Sequence, residues 1–566
     1  MRQAIGTPYP FGVNKNKEGI NFAVAVDEGK QCELLLYKKG EEEPVKVFSL
    51  SEESAVGTVR SIQILDLDQE SYEYNYRIAG KIITDPYAKA IVGMDWKESA
   101  GQRQNIRGRL VNEDYDWEGD RQLHLPYHEV VAYSIHVRGF TKHASSGVKH
   151  KGTFAGVVEK LDYLKELGIN QIQCMPVYEF CEMAGEKVNY WGYGSGYYFA
   201  PKASYSASKD PCTELKDMVK ACHKEGIEVV LEMPFEEGIL PQMALQCLRY
   251  YMMEYHIDGF VLNPYHVPVD MMNNDPILKG IKILRKNDWF QNTMRRFMKS
   301  DSGLLNETIE ALKHNSMYDG ECNYITSHTG FTLCDLVSYN EKHNEANGER
   351  NEDGPDQNYS WNCGEEGPSR KRTVTALRKN QIRNAFFLLL MSQGTPCILA
   401  GDEFKNSQSG NNNVYCQDNE IAWLDWRNLK KETELFEYVK RLIALRKEHF
   451  SLHRDTLLEG CDRMGSGLPD VSYHGEYAWQ ISTDTKSREL GVMYHAVAGE
   501  KQDTCFLAYN MHWNAKEFAL PNIRGTVWYK ILDTSDEMWS DKKELTEAKG
   551  IKVEGRSIVM LIAEQV

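Results

Sequence analysis

The chain opens with short stretches in which apolar and polar residues alternate. Residues 20–26, 32–37 and 61–65 follow this period of two, separated by the turn-forming pairs Glu28-Gly29, Lys39-Gly40 and Ala79-Gly80. No helical period interrupts them, so residues 1–125 are expected to form a β-sandwich. From about residue 130 the rhythm changes. A strand over 130–137 precedes a helix with Phe154, Val157, Val158, Leu161, Leu164 and Leu167 on one face and Gly168 just past its end. A strand over 169–177 follows. The unit recurs with Leu215, Met218, Val219, Cys222 and Gly226 leading into 227–233, and again with a helix before His256 leading into 257–262. Further strands are expected at 280–284, 324–327 and 395–400, the last after an apolar helix segment at 385–391. Strand–helix repeats over 126–450 point to a (β/α)₈ barrel, in which the sixth strand finds no clear place between Asp301 and Asp319. Alternation returns at 477–481, 491–494, 505–509 and 558–562, so residues 451–566 are expected to form a second β-sandwich. The fold class is α/β multidomain, a central TIM barrel between two β-sandwiches.

Composition narrows the partners. The 566 residues carry 82 Asp and Glu against 66 Lys and Arg, a net charge of −16. Nucleic acid and anionic membranes need clustered cations, so neither is expected as a partner. The longest wholly apolar run, 385–391, is far shorter than the roughly 20 residues of a membrane span. The amino terminus, MRQAIGTPYPFG, lacks the apolar core of a secretory signal. Thirteen cysteines, an odd number without a C-x-x-C pair, suggest reduced thiols and a cytoplasmic protein. Aromatic residues are plentiful, 31 Tyr, 19 Phe and 11 Trp. They suit the stacking of sugar rings as well as the building of cores. No metal or cofactor is expected. His143, His150 and His343 lack ligand spacing, Asn411, Asn412 and Asn413 read as a loop, and neither a phosphate loop nor a dinucleotide fingerprint occurs. A polar stretch over 343–367 exceeds ordinary loop length, which marks a functional or formerly functional loop.

Several long strings carry a resemblance. They are 133–141 (YSIHVRGFT), 145–154 (SSGVKHKGTF), 189–201 (NYWGYGSGYYFAP), 343–367, and 394–426 with GTPCILAGDEF and GNNNVYCQDNEIAWLDW. On these the chain resembles the isoamylase and glycogen-debranching branch of the α-amylase superfamily, glycoside hydrolase family 13. The resemblance implies a starch-binding-module-like N-terminal sandwich, a glycoside-hydrolase-like barrel and a C-terminal sandwich. It also implies a part in the metabolism of glycogen or starch, at α-1,6 branches.

The chemistry that the resemblance implies is interrupted in this chain. Retaining glycosidases use two carboxylates about 5–5.5 Å apart, a nucleophile and a general acid. After the fourth strand the family's Gly-Phe-Arg-Phe-Asp reads Gly259-Phe260-Val261-Leu262-Asn263, so an amide stands at the nucleophile and Val261 at the orienting Arg. After the fifth strand the acid-bearing loop looks deleted, and Arg285, Lys286, Asn287 and Asp288 follow at once. After the seventh, Ser327-His328-Thr329-Gly330-Phe331 keeps the His but places Thr329 at the stabilising Asp. After the third, Glu232, Glu236 and Glu237 stand at the family's Asp, Asn and sugar-binding His. Loss of one nucleophile can cost about 10⁶ in turnover, or about 8 kcal/mol.

The expected function is therefore that of a pseudoenzyme, non-catalytic or strongly impaired, that binds α-glucan or pairs with an active debranching paralogue in a hetero-oligomer. Tyr193, Trp191 and His328 match sugar-contacting positions. Two alternatives stand beside this. One is an active α-1,6-glucosidase in which Glu236 or Glu237 works with Asp402 or Glu403. The other is a scaffold without glucan affinity, its mouth filled by Arg285 or Lys286 paired with Glu232, Glu236 or Glu237.

Overall fold

The computed structural model describes residues 1–94, 106–112, 114–208, 210–315, 320–536, 542–545 and 549–565. The N-terminal domain is a sandwich of antiparallel strands. One sheet runs Arg2–Ile5, Val59–Leu65, Ile20–Ala25 and Gly12–Lys15; the facing sheet is built around Cys32–Lys38 and Tyr72–Ile78. Alternation puts Phe22, Leu34, Leu36, Ile64, Tyr74 and Tyr76 between the sheets, where they are fully buried. The last strand of this unit ends at Arg109.

The central unit is a closed parallel barrel. Its strands are β1 (Ala132–Ile135), β2 (Gln171–Cys174), β3 (Glu228–Met233), β4 (Gly259–Leu262), β5 (Lys282–Lys286), β6 (Glu321–Asn323) and β7 (Thr395–Leu399). Helices α1 (Pro211–Lys224), α2 (Pro241–Tyr255), α3 (Asp288–Lys299), α4 (Leu305–Lys313), α5 (Arg372–Leu390) and α6 (Thr433–Glu448) lie outside it. The barrel is of the (β/α)₈ class, closed here by seven strands. The sixth strand sought between Asp301 and Asp319 is absent among the described residues. Instead α3 and α4 follow one another, and β5 pairs directly with β6 through Arg285 and Glu321.

The strand expected at 324–327 lies earlier, at β6. The helix expected from Phe154 to Leu167 is two pieces, Phe154–Val158 and Leu161–Leu167, the second closed by Gly168 at φ +97°.

The C-terminal domain is a six-stranded antiparallel sheet faced by the pair Lys516–Ala519 and Gly550–Val553. The alternation at 477–481 does not make a strand. The chain bends there, with the Trp479 amide donating to Nδ1 of His474 at 2.9 Å. The sheet docks on α5, whose Asn384 accepts from the Thr534 hydroxyl at 2.7 Å and donates to the Arg556 carbonyl at 2.8 Å. No helix among the described residues is long and apolar enough to cross a membrane.

Strand alternation decides what fills the barrel. Val229, Leu231, Phe260, Leu262 and Ile283 face the helices. Val130, Ala132, Val230, Val261, Leu284, Cys322, Tyr324 and Cys397 form the lumen cluster. Below them, Lys282 is paired with the fully buried Glu228, which also accepts from the Gln171 amide at 2.8 Å and the Leu125 backbone at 2.8 Å. Removing one partner strands a buried charge. Lys282→Met is therefore expected to destabilise the barrel by about 3–5 kcal/mol, seen as a lowered thermal midpoint. Adding Glu228→Gln should recover most of that loss, because the remaining groups are neutral.

Candidate functional site

The barrel mouth lies at the carboxyl ends of the strands. Glu232 is near the end of β3, where alternation turns it inward, and is 9% exposed. The Tyr193 hydroxyl, from the loop after β2, donates to its carboxylate, and the same oxygen meets Nε2 of His328. Lys286, on the inward side of β5, reaches Oε2 of Glu232 at 3.6 Å; Nε2 of His328 lies 3.8 Å from Oε1. Burial pushes the Glu232 carboxyl up. Lys286, then His328 and the Tyr193 hydroxyl, more than reverse this and hold it below the usual value. Burial, with Lys286 beside it, drives His328 down to about 3, so it is neutral. Burial and then Glu232 raise the Tyr193 phenol far above its ordinary value.

Of the two cations expected to fill the mouth, only Lys286 does so. Arg285 faces the other way and pairs with Glu321 at 2.9 Å, because neighbours along a strand point to opposite faces. Glu236 and Glu237 correct the expectation in a second way. Both are exposed, and Glu236 accepts from the Ser195 hydroxyl rather than pairing with a cation.

Nor do they meet Asp402 or Glu403. Asp402 is buried and accepts from the Thr326 hydroxyl and, at 2.8 Å, the Leu333 amide; burial pushes it up to about 7. Glu403 is buried between the hydroxyls of Tyr133, at 2.6 Å, and Tyr163. Both acids brace the turn that follows β7.

Asn263 spends its amide oxygen on its own loop, accepting from the Tyr265 backbone at 3.0 Å. That loop is tied to the one after β3 by His266, whose Nδ1 bonds the Phe235 carbonyl at 2.6 Å. After β5, Asn287 caps α3 by accepting from the Phe290 amide at 2.9 Å, so the strand passes into the helix with no loop between. The first residue of α3, Asp288, accepts from the Tyr324 hydroxyl. Thr329 is exposed and within 3.1 Å of the Ser327 hydroxyl.

The three candidate sugar contacts come together. The rings of Trp191 and Tyr193 are 5.7 Å apart, those of Trp191 and His328 5.2 Å, and those of Tyr193 and His328 5.8 Å. Trp191 and His328 are 6% and 5% exposed, which corrects their assignment as open contacts; Tyr193 alone is half-buried. Behind them lies a cavity of about 50 Å³, lined by His136, Tyr190, Trp191, His328 and Gln408. That is room for a few waters at about 10–15 Å³ each, and not for a sugar.

His136 and Tyr190 were missed in the sequence. His136 stacks on Tyr190 with centroids 4.0 Å apart, its Nε2 meets the Tyr190 carbonyl at 2.7 Å, and burial takes it down to about 4. The signal was the quoted string YSIHVRGFT, in which Arg138 also makes a two-pronged pair with Asp418 at 2.8 and 3.0 Å.

The stretch over 343–367 is an ordered knot of amides. Asn344 and Asn412 exchange hydrogen bonds at 2.8 and 2.9 Å, and Asn412 donates to Asn358 at 3.0 Å. One group among the described residues has the spacing of metal ligands, His449, Asp503 and Cys505, within 4.8 Å. Asp503 is already bonded by Nδ1 of His449 at 2.8 Å and the Ser451 amide at 2.9 Å, and burial holds the Cys505 thiol up. These residues join the end of α6 to the C-terminal sheet.

The closed parallel barrel and its two flanking β-rich domains define a (β/α)-barrel protein whose candidate groups gather at the carboxyl ends of the strands. The α-amylase family profile, "Alpha amylase, catalytic domain", matches residues 134–236. Isoamylase 1, chloroplastic, of Arabidopsis thaliana is 31% identical over 94% of this chain and 85% of its own. The glycogen operon protein GlgX homolog of Haemophilus influenzae is 32% identical over 80% of this chain and 86% of its own. The fold matches that of a Paenibacillus barengoltzii pullulanase in complex with maltohexaose and α-cyclodextrin, with a TM-score of 0.74 and 19% identity over 99% of this chain and 96% of that one. The chain belongs to the isoamylase and glycogen-debranching branch of the α-amylase superfamily, glycoside hydrolase family 13.

The ion pair at the mouth has a pH signature. The folded Glu232 carboxyl lies below its ordinary value of 4.5. Its contribution to stability is thus present at neutral pH and lost as pH falls through the folded value. Lys286→Met should lower the thermal midpoint at neutral pH, and the gap to wild type should shrink as pH is brought below 4.5. A gap unchanged in acid would show that Lys286 does not act through Glu232.

Proposed function

We propose that this chain is a non-hydrolytic member of its family that binds α-glucan of the glycogen or starch type, working beside an active debranching paralogue. The observation that carries this is the fate of Glu232. It is the one acid turned into the mouth from β3, and it is ionised, buried and bound by Tyr193, Lys286 and His328. A general acid needs a proton at neutral pH, hence a raised value; Glu232 is shifted the opposite way. The nucleophile position is the amide of Asn263, and the acid-bearing loop is replaced by the cap of α3. The names of the relatives, isoamylase and glycogen operon protein, support the substrate class. The odd count of thirteen cysteines, without a C-x-x-C pair, supports a reducing compartment such as the cytoplasm.

Purified protein incubated with glycogen and with pullulan is expected to release no reducing ends above a protein-free blank, while co-sedimenting with glycogen. Branch-dependent release that survives repurification and disappears in Glu232→Gln or Glu237→Gln would overturn the non-hydrolytic reading in favour of displaced carboxylates. Failure to sediment would favour the scaffold.

A further inference from the structure

Where α6 ends, three side chains able to bind a metal meet from two domains. His449 is the residue on which α6 closes. Asp503 and Cys505 stand two apart on the strand Lys501–Asn510 of the C-terminal sheet, so alternation turns both to the same face. One ligand atom from each of the three lies within 4.8 Å of the other two. They converge on Oδ1 of Asp503, with Nδ1 of His449 at 2.8 Å and the Cys505 sulfur at 3.8 Å. The other carboxylate oxygen is held apart by the Ser451 amide at 2.9 Å.

The group is enclosed, but a path from solvent remains. Cys505 is fully buried, while the side chains of His449 and Asp503 are 10% and 11% exposed. Among the described residues no Lys or Arg pairs with Asp503; its one ion-pair partner is His449. Ser451 is buried, and its hydroxyl, lying beside Asp503 and Cys505, completes no hydrogen bond of good geometry. A buried hydroxyl left so is costly, and a cation that takes oxygen ligands would satisfy it.

The donor set and its charge choose the ion. Thiolate, imidazole and carboxylate together suit zinc, which is borderline in softness and takes four neighbours in a tetrahedron. Two protons now point at Oδ1, one on the imidazole and one on the thiol. A divalent cation replaces them. The imidazole keeps its proton at Nε2 instead, the thiol proton leaves to solvent, and thiolate and carboxylate together cancel the charge of the ion. Zinc–ligand bonds of about 2.0–2.3 Å require the pair at 2.8 Å to open to about 3.3 Å, a small movement at a helix end. The last carbonyls of α6 add their partial negative charge to the attraction.

We infer that His449, Asp503 and Cys505 bind one zinc ion, with the Ser451 hydroxyl or a water as fourth ligand, and that the ion ties the end of α6 to the C-terminal sheet. The inference is independent of what the barrel mouth binds. Titration of the chelator-treated full chain with cobalt chloride tests it, because a cobalt–thiolate bond has its own charge-transfer absorption. Wild type is expected to develop that band with one equivalent of cobalt and to lose it when zinc is added. Zinc should also raise its thermal midpoint. Cys505→Ser should abolish the band. His449→Gln, which keeps the thiol and lies at a helix end, should weaken zinc binding tenfold or more. Cys461→Ser, which removes an exposed thiol elsewhere, should match wild type. No band from wild type in tenfold excess cobalt overturns the proposal without recourse to any variant. So does a band that survives in Cys505→Ser, or zinc affinity within twofold of wild type in His449→Gln.

Discussion

A strand in a closed barrel shows every second side chain to a lumen that neighbouring strands share, and here that constraint decides the chemistry. Residues 228, 230 and 232 of β3 point inward, as do 282, 284 and 286 of β5. Strands two apart lie about 10 Å from each other, a span that a Glu and a Lys bridge together. The pair from Lys286 to Glu232 follows from this alternation. So does the exclusion of Arg285, one residue away and pointed at Glu321. Among the described residues the barrel closes with seven strands, and barrel diameter grows with strand number, which narrows the lumen further.

The register shows how charge has been redistributed. Glu232 is level with Val261, and Val261 with Leu284. An arginine at 261 would place its charge beside Glu232; valine leaves the acid without that partner on the next strand. The cation comes instead from Lys286, above Leu284. A buried carboxylate without a counter-charge is costly, so with valine at 261 the pairing of Glu232 with Lys286 is what keeps the acid ionised. The same economy appears at α3. With β5 passing directly into α3, Asn287 satisfies the helix terminus, and Asp288 serves as a partner for Tyr324. Residues at these strand ends are held by local hydrogen bonds that a ligand entering the mouth would have to break.

Much of this was legible in the sequence because it rests on periodicity. The strands at β2, β3, β4 and β7 and the flanking sandwiches follow from local pattern or from strings long enough to align. Lys286 was also within reach, since counting by twos from Lys282 separates it from Arg285. What could not be read were long-range choices. The direct pairing of β5 with β6 is a long-range choice: no strand lies between them among the described residues, and two helices fill that stretch instead. The pseudo-strand at 477–481 alternates correctly but is diverted by a contact to His474. Trp191 and His328 matched sugar-binding positions, and their burial is set by the loop carrying Tyr190 and by residues near Gln408, remote in sequence.

Affinity for a polyhydroxyl ligand comes from groups whose hydrogen bonds and faces are not already committed. At the mouth, the Tyr193 hydroxyl, the Glu232 carboxylate, the Lys286 ammonium and Nε2 of His328 are committed to one another. A sugar entering there must exchange strong, charge-assisted contacts for neutral ones, and such an exchange gains little.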